Sequence, residues 1–267
     1  YVYNLWKNNV GVALKTNPDE IVESARKFYK LGIRLFRPYS PEPSKNLVKS
    51  VQALRKEFGS EIEIIASFGT SMDQIRELEQ VGADMVIIGT GGGGRCITAV
   101  RSGTTIDWPE LAYKIRGLVN IPLIAEGGAS DNITATLLTG ITGISVSRVG
   151  GGGSIESPGG ALFAVDNSGE LFKPYGGEAS ARSKMLDGKM RPFKIMSFVE
   201  GKTTKAYISN GQEGALPTLT YNLNLLTEDV VLSLVYRGAE SILDLQNINP
   251  SPLKRISTMG AFQKGTH

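Results

Sequence analysis

Residues 62–96 read IEIIASFGTSMDQIRELEQVGADMVIIGTGGGGRC, and the succession of patterns in this stretch decides the fold. Ile62 to Ser67 is a short apolar run rich in β-branched residues, the mark of a buried strand. Ser71 followed three residues later by Gln74 forms a capping box, so a helix begins there and runs to Val81-Gly82, where glycine stops it. Met85 to Ile88 is a second buried strand, and it opens directly into Gly89-Thr90-Gly91-Gly92-Gly93-Gly94. Two apolar strands separated by one helix form a parallel βαβ unit.

The same unit repeats outward. On the N-terminal side, Val10 to Leu14 is an apolar run, and Asn17 caps a helix with Pro18 at its first turn and Ile21, Val22, Ala25, Phe28 and Tyr29 as its stripe before Gly32. Ile33 to Phe36 is the next strand, and Ser44 opens a helix with Leu47, Val48, Val51, Leu54 and Phe58 inward and Gly59 at its end. On the C-terminal side come helix Trp108 to Leu118, strand Pro122 to Ala125, helix Asp131 to Leu138 and strand Gly143 to Val146. This alternation predicts an α/β fold with a parallel sheet, either open and doubly wound or closed as a (β/α) barrel. A barrel carries its functional residues at the C-terminal ends of its strands. Here those ends are all unusual: Arg37-Pro38-Tyr39, Ser67-Phe68-Gly69-Thr70, Gly89 to Cys96, Glu126-Gly127-Gly128, and Ser147-Arg148 running into Gly150 to Gly153. That favours a barrel, two strands short.

Beyond Val149 the pattern changes. Ala161 to Val165 and Glu170 to Tyr175 flank Asn167-Ser168-Gly169, a hairpin signal. Residues 176–217 are polar and poorly periodic, as expected of a functional or mobile segment, and helix returns from a Thr227 cap to Tyr236. One domain over 1–267 is expected, with barrel strands in about 9–149, hairpin and flap in about 160–217, and a C-terminal helix and tail in 218–267.

Composition narrows the chemistry. The 267 residues hold 1 Cys and 1 His. One cysteine leaves no disulfide framework and no multi-cysteine zinc site, and a lone His267 supplies no Ser-His-Asp triad, Cys-His dyad or His-rich metal site. Chemistry must run on Cys, carboxylates, Thr, Tyr, Arg or Lys, with no metal ligand set expected. The net charge of +3 is mild and no Lys/Arg tract interleaves with aromatics, which argues against a nucleic-acid partner. No apolar run approaches about 18 residues, so no membrane span and a cytoplasmic location are expected. The chain begins Tyr1-Val2-Tyr3 without an initiator Met, which suggests a segment upstream.

Gly89 to Gly94 satisfies G-x-G-x-x-G after a strand, with Asp107 about 20 residues on, a dinucleotide-binding signature. Against it, Asp107-Trp108-Pro109-Glu110 looks like a helix start. The same glycines lead to Arg95-Cys96-Ile97-Thr98. A lone Cys can be a small apolar filler, but the small residues before Cys96 let backbone close on a ligand and leave the thiol exposed. Glu126 to Asp131 is either a turn with an N-cap or a phosphate cradle with a carboxylate beside it for a ribose diol. Gly150 to Ser154 with Glu156-Ser157-Pro158-Gly159 is a second phosphate-sized loop, supplemented by Arg148, or a linker.

In this order the residues resemble the IMP dehydrogenase/GMP reductase family. The family's active-site loop, roughly G-x-G-x-G-S-x-C-x-T, is matched by Gly89 to Thr98, and its I-A-D-G-G by Ile124-Ala125-Glu126-Gly127-Gly128. Its E-S-P-G is matched by Glu156 to Gly159, K-x-Y-x-G by Lys173 to Gly177, E-G-x-V-P by Glu213 to Pro217, and Y-x-G-A by Tyr236 to Ala239. The resemblance implies a (β/α)8 TIM barrel whose first two strands lie upstream of Tyr1 or come from another chain. It implies a purine-nucleotide oxidoreductase in which a cysteine attacks C2 of IMP, GMP or XMP and hydride passes to or from NAD or NADP. Cys96 is then the nucleophile and Thr98 its loop partner, with Glu178 and the flap residue Arg191 as further catalytic candidates. Gly94, Glu126, Gly127, Gly128, Arg148, Gly150, Tyr175 and Gly177 would bind nucleotide, Glu126 taking the ribose diol. Arg37, Ser67, Gly89 and Gly91 would line the cofactor site, and a monovalent cation would sit at the Cys96 loop. The resemblance also implies a homo-oligomer, usually a tetramer, or a partner chain completing the barrel. Glu156 to Gly159 and Glu213 to Pro217 favour a dehydrogenase; GMP reductase-like NADPH-dependent deamination and a catalytically inactive nucleotide-binding subunit are the alternatives.

The departures are specific. Arg37 stands where the family carries an Asp near the nicotinamide ribose, Ser67 for an Asn, Gly94 for a phosphate-loop Ser, and Ser147-Arg148 for Gly-Ser. A guanidinium at Arg148 can replace lost hydroxyl donors on a phosphate. Arg37 inverts the charge, and either faces the site or runs out to solvent.

Overall fold

A computed structural model gives the fold. It describes residues 4–5, 9–40, 45–89, 106, 108–130, 132–146, 154–156, 164–165, 167–169, 171–173, 180, 206–207 and 218–253. Strands β1 (Gly11–Lys15), β2 (Leu35–Tyr39), β3 (Glu63–Gly69), β4 (Met85–Ile88), β5 (Leu123–Glu126) and β6 (Gly143–Ser145) form one parallel sheet in that spatial order. Each crossover carries a helix: α1 (Ile21–Tyr29), α2 (Lys45–Phe58), α3 (Met72–Gln80), α4 (Trp108–Ile115) and α5 (Ile133–Leu138).

The sequential order separates the two architectures that share this alternation. A doubly wound sheet reverses direction at a switch point and so covers both faces with helices. One-strand steps in a constant direction, with right-handed crossovers, place every helix on the same face. The glycine run after β4 therefore does not belong to a doubly wound dinucleotide-binding sheet.

Strand alternation explains the two faces. Phe36, Ile64, Ala66, Val86, Ile88 and Ala125 turn toward the helices and are buried with Ile21, Leu47, Leu54, Ile75, Leu78 and Ile115 in one core. The opposite parity, which includes Arg37, Ser67 and Glu126, lines the other face. At the N-terminal edge of the sheet, Arg55 on α2 ties several elements together. Its guanidinium donates to the carbonyls of Gly82 (2.9 and 2.7 Å) and Ile62 (3.0 Å), to that of Gly59, and to the Asp84 carboxylate (2.6 Å). Asp84 in turn accepts from the Ile64 N–H at 2.7 Å.

Several boundaries differ from the expected ones. β2 continues through Pro38 to Tyr39, so Arg37 lies inside a strand rather than beyond its end. Asn17 shapes a turn, its side chain accepting from the Asp19 N–H at 3.2 Å, and regular helix begins at Ile21. Ser71 does cap α3, accepting from the Gln74 N–H at 3.2 Å, but Gln74 reaches back to Thr70 instead of Ser71. Helix α5 begins at Ile133 and is capped by Asn132, whose side chain accepts from the Ala135 N–H at 3.1 Å. The C-terminal helix α6 (Leu219–Val235) starts earlier than expected, capped by Thr218, whose hydroxyl accepts from the Tyr221 N–H at 3.1 Å. Thr227 is mid-helix and donates to the Leu223 carbonyl at 3.0 Å, so it is not a cap. Helix α7 (Ile242–Asn247) follows, and Leu245 packs with Leu137 and Leu138 of α5. Strands β7 (Ala164–Val165), β8 (Leu171–Lys173) and β9 (Ala206–Tyr207) form a small antiparallel sheet. Among the described residues no helix is long and apolar enough to cross a membrane.

Candidate active site

Arg37 from β2, Ser67 from β3 and Glu126 from β5 meet at the C-terminal edge of the six-stranded sheet. Arg37 Nε donates to Ser67 Oγ at 2.8 Å, and a terminal guanidinium nitrogen donates to Glu126 Oε2 at 3.1 Å. Ser67 is fully buried, while the Arg37 and Glu126 side chains are 32% and 31% exposed, so the ion pair sits at a mouth and not in the core. The guanidinium carbon lies 5.5 Å from the Tyr39 ring centroid and 5.8 Å from that of Phe68, and the two rings pack edge-to-face. Arg37 therefore turns inward and does not run out to solvent.

This contact also reports the shape of the sheet. β2 and β5 are three inter-strand steps apart, about 14 Å in a flat sheet, a gap that an Arg and a Glu would bridge only with both side chains fully extended along the sheet, whereas strand side chains stand roughly perpendicular to it. The contact therefore implies that the sheet curls toward the face opposite α1 to α5, so that residues on non-adjacent strands converge across it.

Glycine and tryptophan shape the rest of the mouth. Gly89, directly after β4, has φ +109°, and a Cβ there would lie 2.4 Å from the Glu126 carbonyl oxygen and 2.9 Å from Trp108 Cδ1. Only glycine lets these strand ends come so close. Trp108 opens α4, is buried, and its indole N–H donates to the Gly127 carbonyl at 2.8 Å. Gly127 and Gly128 both have positive φ, 92° and 73°, which makes the backbone after Glu126 a tight glycine turn. Thr136 of α5 secures that turn from below by donating to the Ala129 carbonyl at 2.7 Å.

Of the residues the sequence singles out, Arg37, Ser67, Gly89, Glu126, Gly127 and Gly128 are thus brought together. Gly91, Gly94, Cys96, Thr98, Arg148, Gly150, Tyr175, Gly177, Glu178 and Arg191 lie outside the described residues, as does the loop proposed for a monovalent cation. Glu156 has a structural part: its carboxylate accepts from the Leu219 N–H at 2.8 Å, satisfying one of the open donors at the start of α6. Sequence reasoning missed Trp108 as a support for the Glu126 turn; an indole at a helix start that needs a hydrogen-bond acceptor was the available signal. Among the described residues no group of three or more metal-ligating side chains occurs.

The model of the IMP dehydrogenase / GMP reductase domain matches residues 7–267. The chain belongs to that family. It is 30% identical over 213 residues to an inosine-5'-monophosphate dehydrogenase of Nitrosopumilus maritimus, covering 76% of this chain and 43% of the relative. It is 27% identical over 210 residues to a GMP reductase of Streptococcus suis, covering 77% of this chain and 58% of the relative. The chain thus spans about half the length of the curated relatives it matches. A crystal structure of inosine 5' monophosphate dehydrogenase from Legionella pneumophila superposes with a TM-score of 0.66 at 24% identity, covering 89% of this chain and 70% of that one, a likeness of fold.

Proposed function

We propose that this family member is a purine-nucleotide oxidoreductase of the IMP dehydrogenase kind, working at the mouth of a (β/α)8 barrel. The observation that carries the proposal is the convergence of Arg37, Ser67 and Glu126 from three strands at one C-terminal sheet edge, the edge where barrel enzymes keep their chemistry. The sequential strand order and the curled sheet support closure of the barrel, completed by two further strands from elsewhere in the polypeptide or from a partner.

In this reading Cys96 supplies a thiolate that adds to C2 of the purine, and Thr98 sits beside it on the loop. A loop thiolate on an electrophilic ring needs no histidine, so the composition is compatible. Glu126 accepts from the ribose hydroxyls. Gly127 and Gly128, with Gly94, Arg148, Gly150, Tyr175 and Gly177, hold the 5′-phosphate, and Glu178 and Arg191 serve the later proton transfers. The partly exposed Tyr39 ring beside Arg37 would suit a planar aromatic group, which supports a nicotinamide ring bound near Arg37, Ser67, Gly89 and Gly91. NAD or NADP would exchange hydride with the purine carbon. A monovalent cation at the Cys96 loop, a homo-oligomer and a cytoplasmic location belong to the same proposal. Relatives of both enzyme kinds match at similar identity, so reductive deamination of GMP with NADPH is the second reading.

Incubation with IMP and NAD, or GMP and NADPH, followed at the nicotinamide absorbance band, is expected to show turnover that Cys96→Ala abolishes. Nucleotide binding without turnover in any combination overturns the oxidoreductase reading in favour of a non-catalytic nucleotide-binding subunit.

A further inference from the structure

We propose that Arg37 is a positioning residue for Glu126: it holds the carboxylate in the geometry that reads a nucleotide's ribose hydroxyls. The inference rests on the nucleotide reading above and assigns Arg37 a role distinct from contact with a cofactor.

Arg37 is itself held by contacts within the sheet. Its Nε is bonded to the fully buried Ser67 hydroxyl at 2.8 Å, and its plane lies near the Tyr39 and Phe68 rings. A guanidinium is a rigid fork, so anchoring one nitrogen aims the others. One of them meets Glu126 Oε2 at 3.1 Å. Glu126 needs that restraint: it is the last residue of β5, precedes two glycines with positive φ, and carries a side chain with three rotatable torsions at a partly open mouth.

The pairing leaves the carboxylate able to work. An ionised carboxylate has about four lone-pair sites, so one bond from Arg37 leaves Oε1 and a further site on Oε2 for ligand hydroxyls. It also defines what Arg37 does not do. With its charge matched by Glu126 at 3.1 Å, the guanidinium has little call for a second anion, and its influence on a ligand passes through the carboxylate it holds. A lysine cannot substitute, because a single ammonium does not span Ser67 and Glu126 with a fixed fork.

Calorimetric titration with IMP and with its 2′,3′-dideoxy form tests this on wild type, Arg37→Gln, Arg37→Lys, Glu126→Gln and the Arg37→Gln/Glu126→Gln double variant, each first checked for a cooperative melt. Arg37→Gln is expected to weaken IMP binding about tenfold to a hundredfold, the effect of losing a charged hydrogen bond. It should leave the dideoxy form nearly unaffected, so that discrimination between the two ligands collapses. The double variant should bind IMP no worse than Glu126→Gln alone, and Arg37→Lys should not rescue. A wild-type affinity in Arg37→Gln, additive losses in the double variant, or equal losses for both ligands overturns the inference and leaves the nucleotide reading standing. If wild type binds neither IMP nor GMP, the nucleotide reading fails and this inference with it. If Arg37→Gln does not fold, Arg37→Lys carries the same comparison.

Discussion

Gly89 is the most constrained single position of the mouth. Both its φ of +109° and the Glu126 carbonyl oxygen that a Cβ would run into forbid a side chain, and the obstructing atom is backbone, which cannot swing away. Gly89→Ala is expected to cost about 2–4 kcal/mol of stability, read as a lower melting temperature, and to weaken nucleotide binding because β5 must shift. That a glycine run follows β4 is plain in the sequence; which of its glycines bears a contact is not, since the contact is with a strand more than thirty positions later. Arg37 shows the same limit more sharply. From the sequence it has two fates, facing the site or leaving for solvent, and the choice is made by Ser67 and Glu126, the latter 89 residues away. Local patterns encode no such distance.

At the scale of elements, runs and caps predicted β3, β4 and α3 closely because each rule there is local: β-branched runs, a capping serine, a stopping glycine. Two failures have physical reasons. The apolar run ends at Phe36 and so gives no sign of Arg37 to Tyr39 as strand, yet the strand keeps its register with β1 through Leu14 opposite Pro38 and Lys15 opposite Tyr39. α6 is apolar on most of its faces, so no single stripe marks where it begins, and Thr218 is as plausible a cap as Thr227 until the hydrogen bonds are seen. Arg55 carries no local signal in the sequence, although it joins α2 to the start of β3 and to the α3–β4 turn. Arg55→Met is expected to destabilise the chain by about 2–3 kcal/mol, by stranding the carbonyls it satisfies. The melting temperature should fall while ligand affinity per folded molecule is unchanged, since Arg55 lies at the opposite edge from the mouth.

For the whole molecule, alternation announces an α/β fold and strand order selects among its architectures, and only alternation is visible in the sequence. Among the described residues β1 and β6 are each paired on one side only, and unpaired strand edges invite association. Light scattering is expected to give a mass at least twice the 28.7 kDa of the chain; a monodisperse monomer overturns that expectation. The sequential order has one more consequence, in the time domain. Every ladder of the large sheet joins strands consecutive along the chain, so the sheet can be laid down strand by strand as the polypeptide is synthesised, each step closing a short loop. The Arg37–Glu126 pair closes a far longer one and must wait for β5. A nascent chain that has emerged only as far as β4 already holds most of the described hydrophobic core and the Arg37–Ser67 bond but not the carboxylate they serve, so binding competence arrives only with β5.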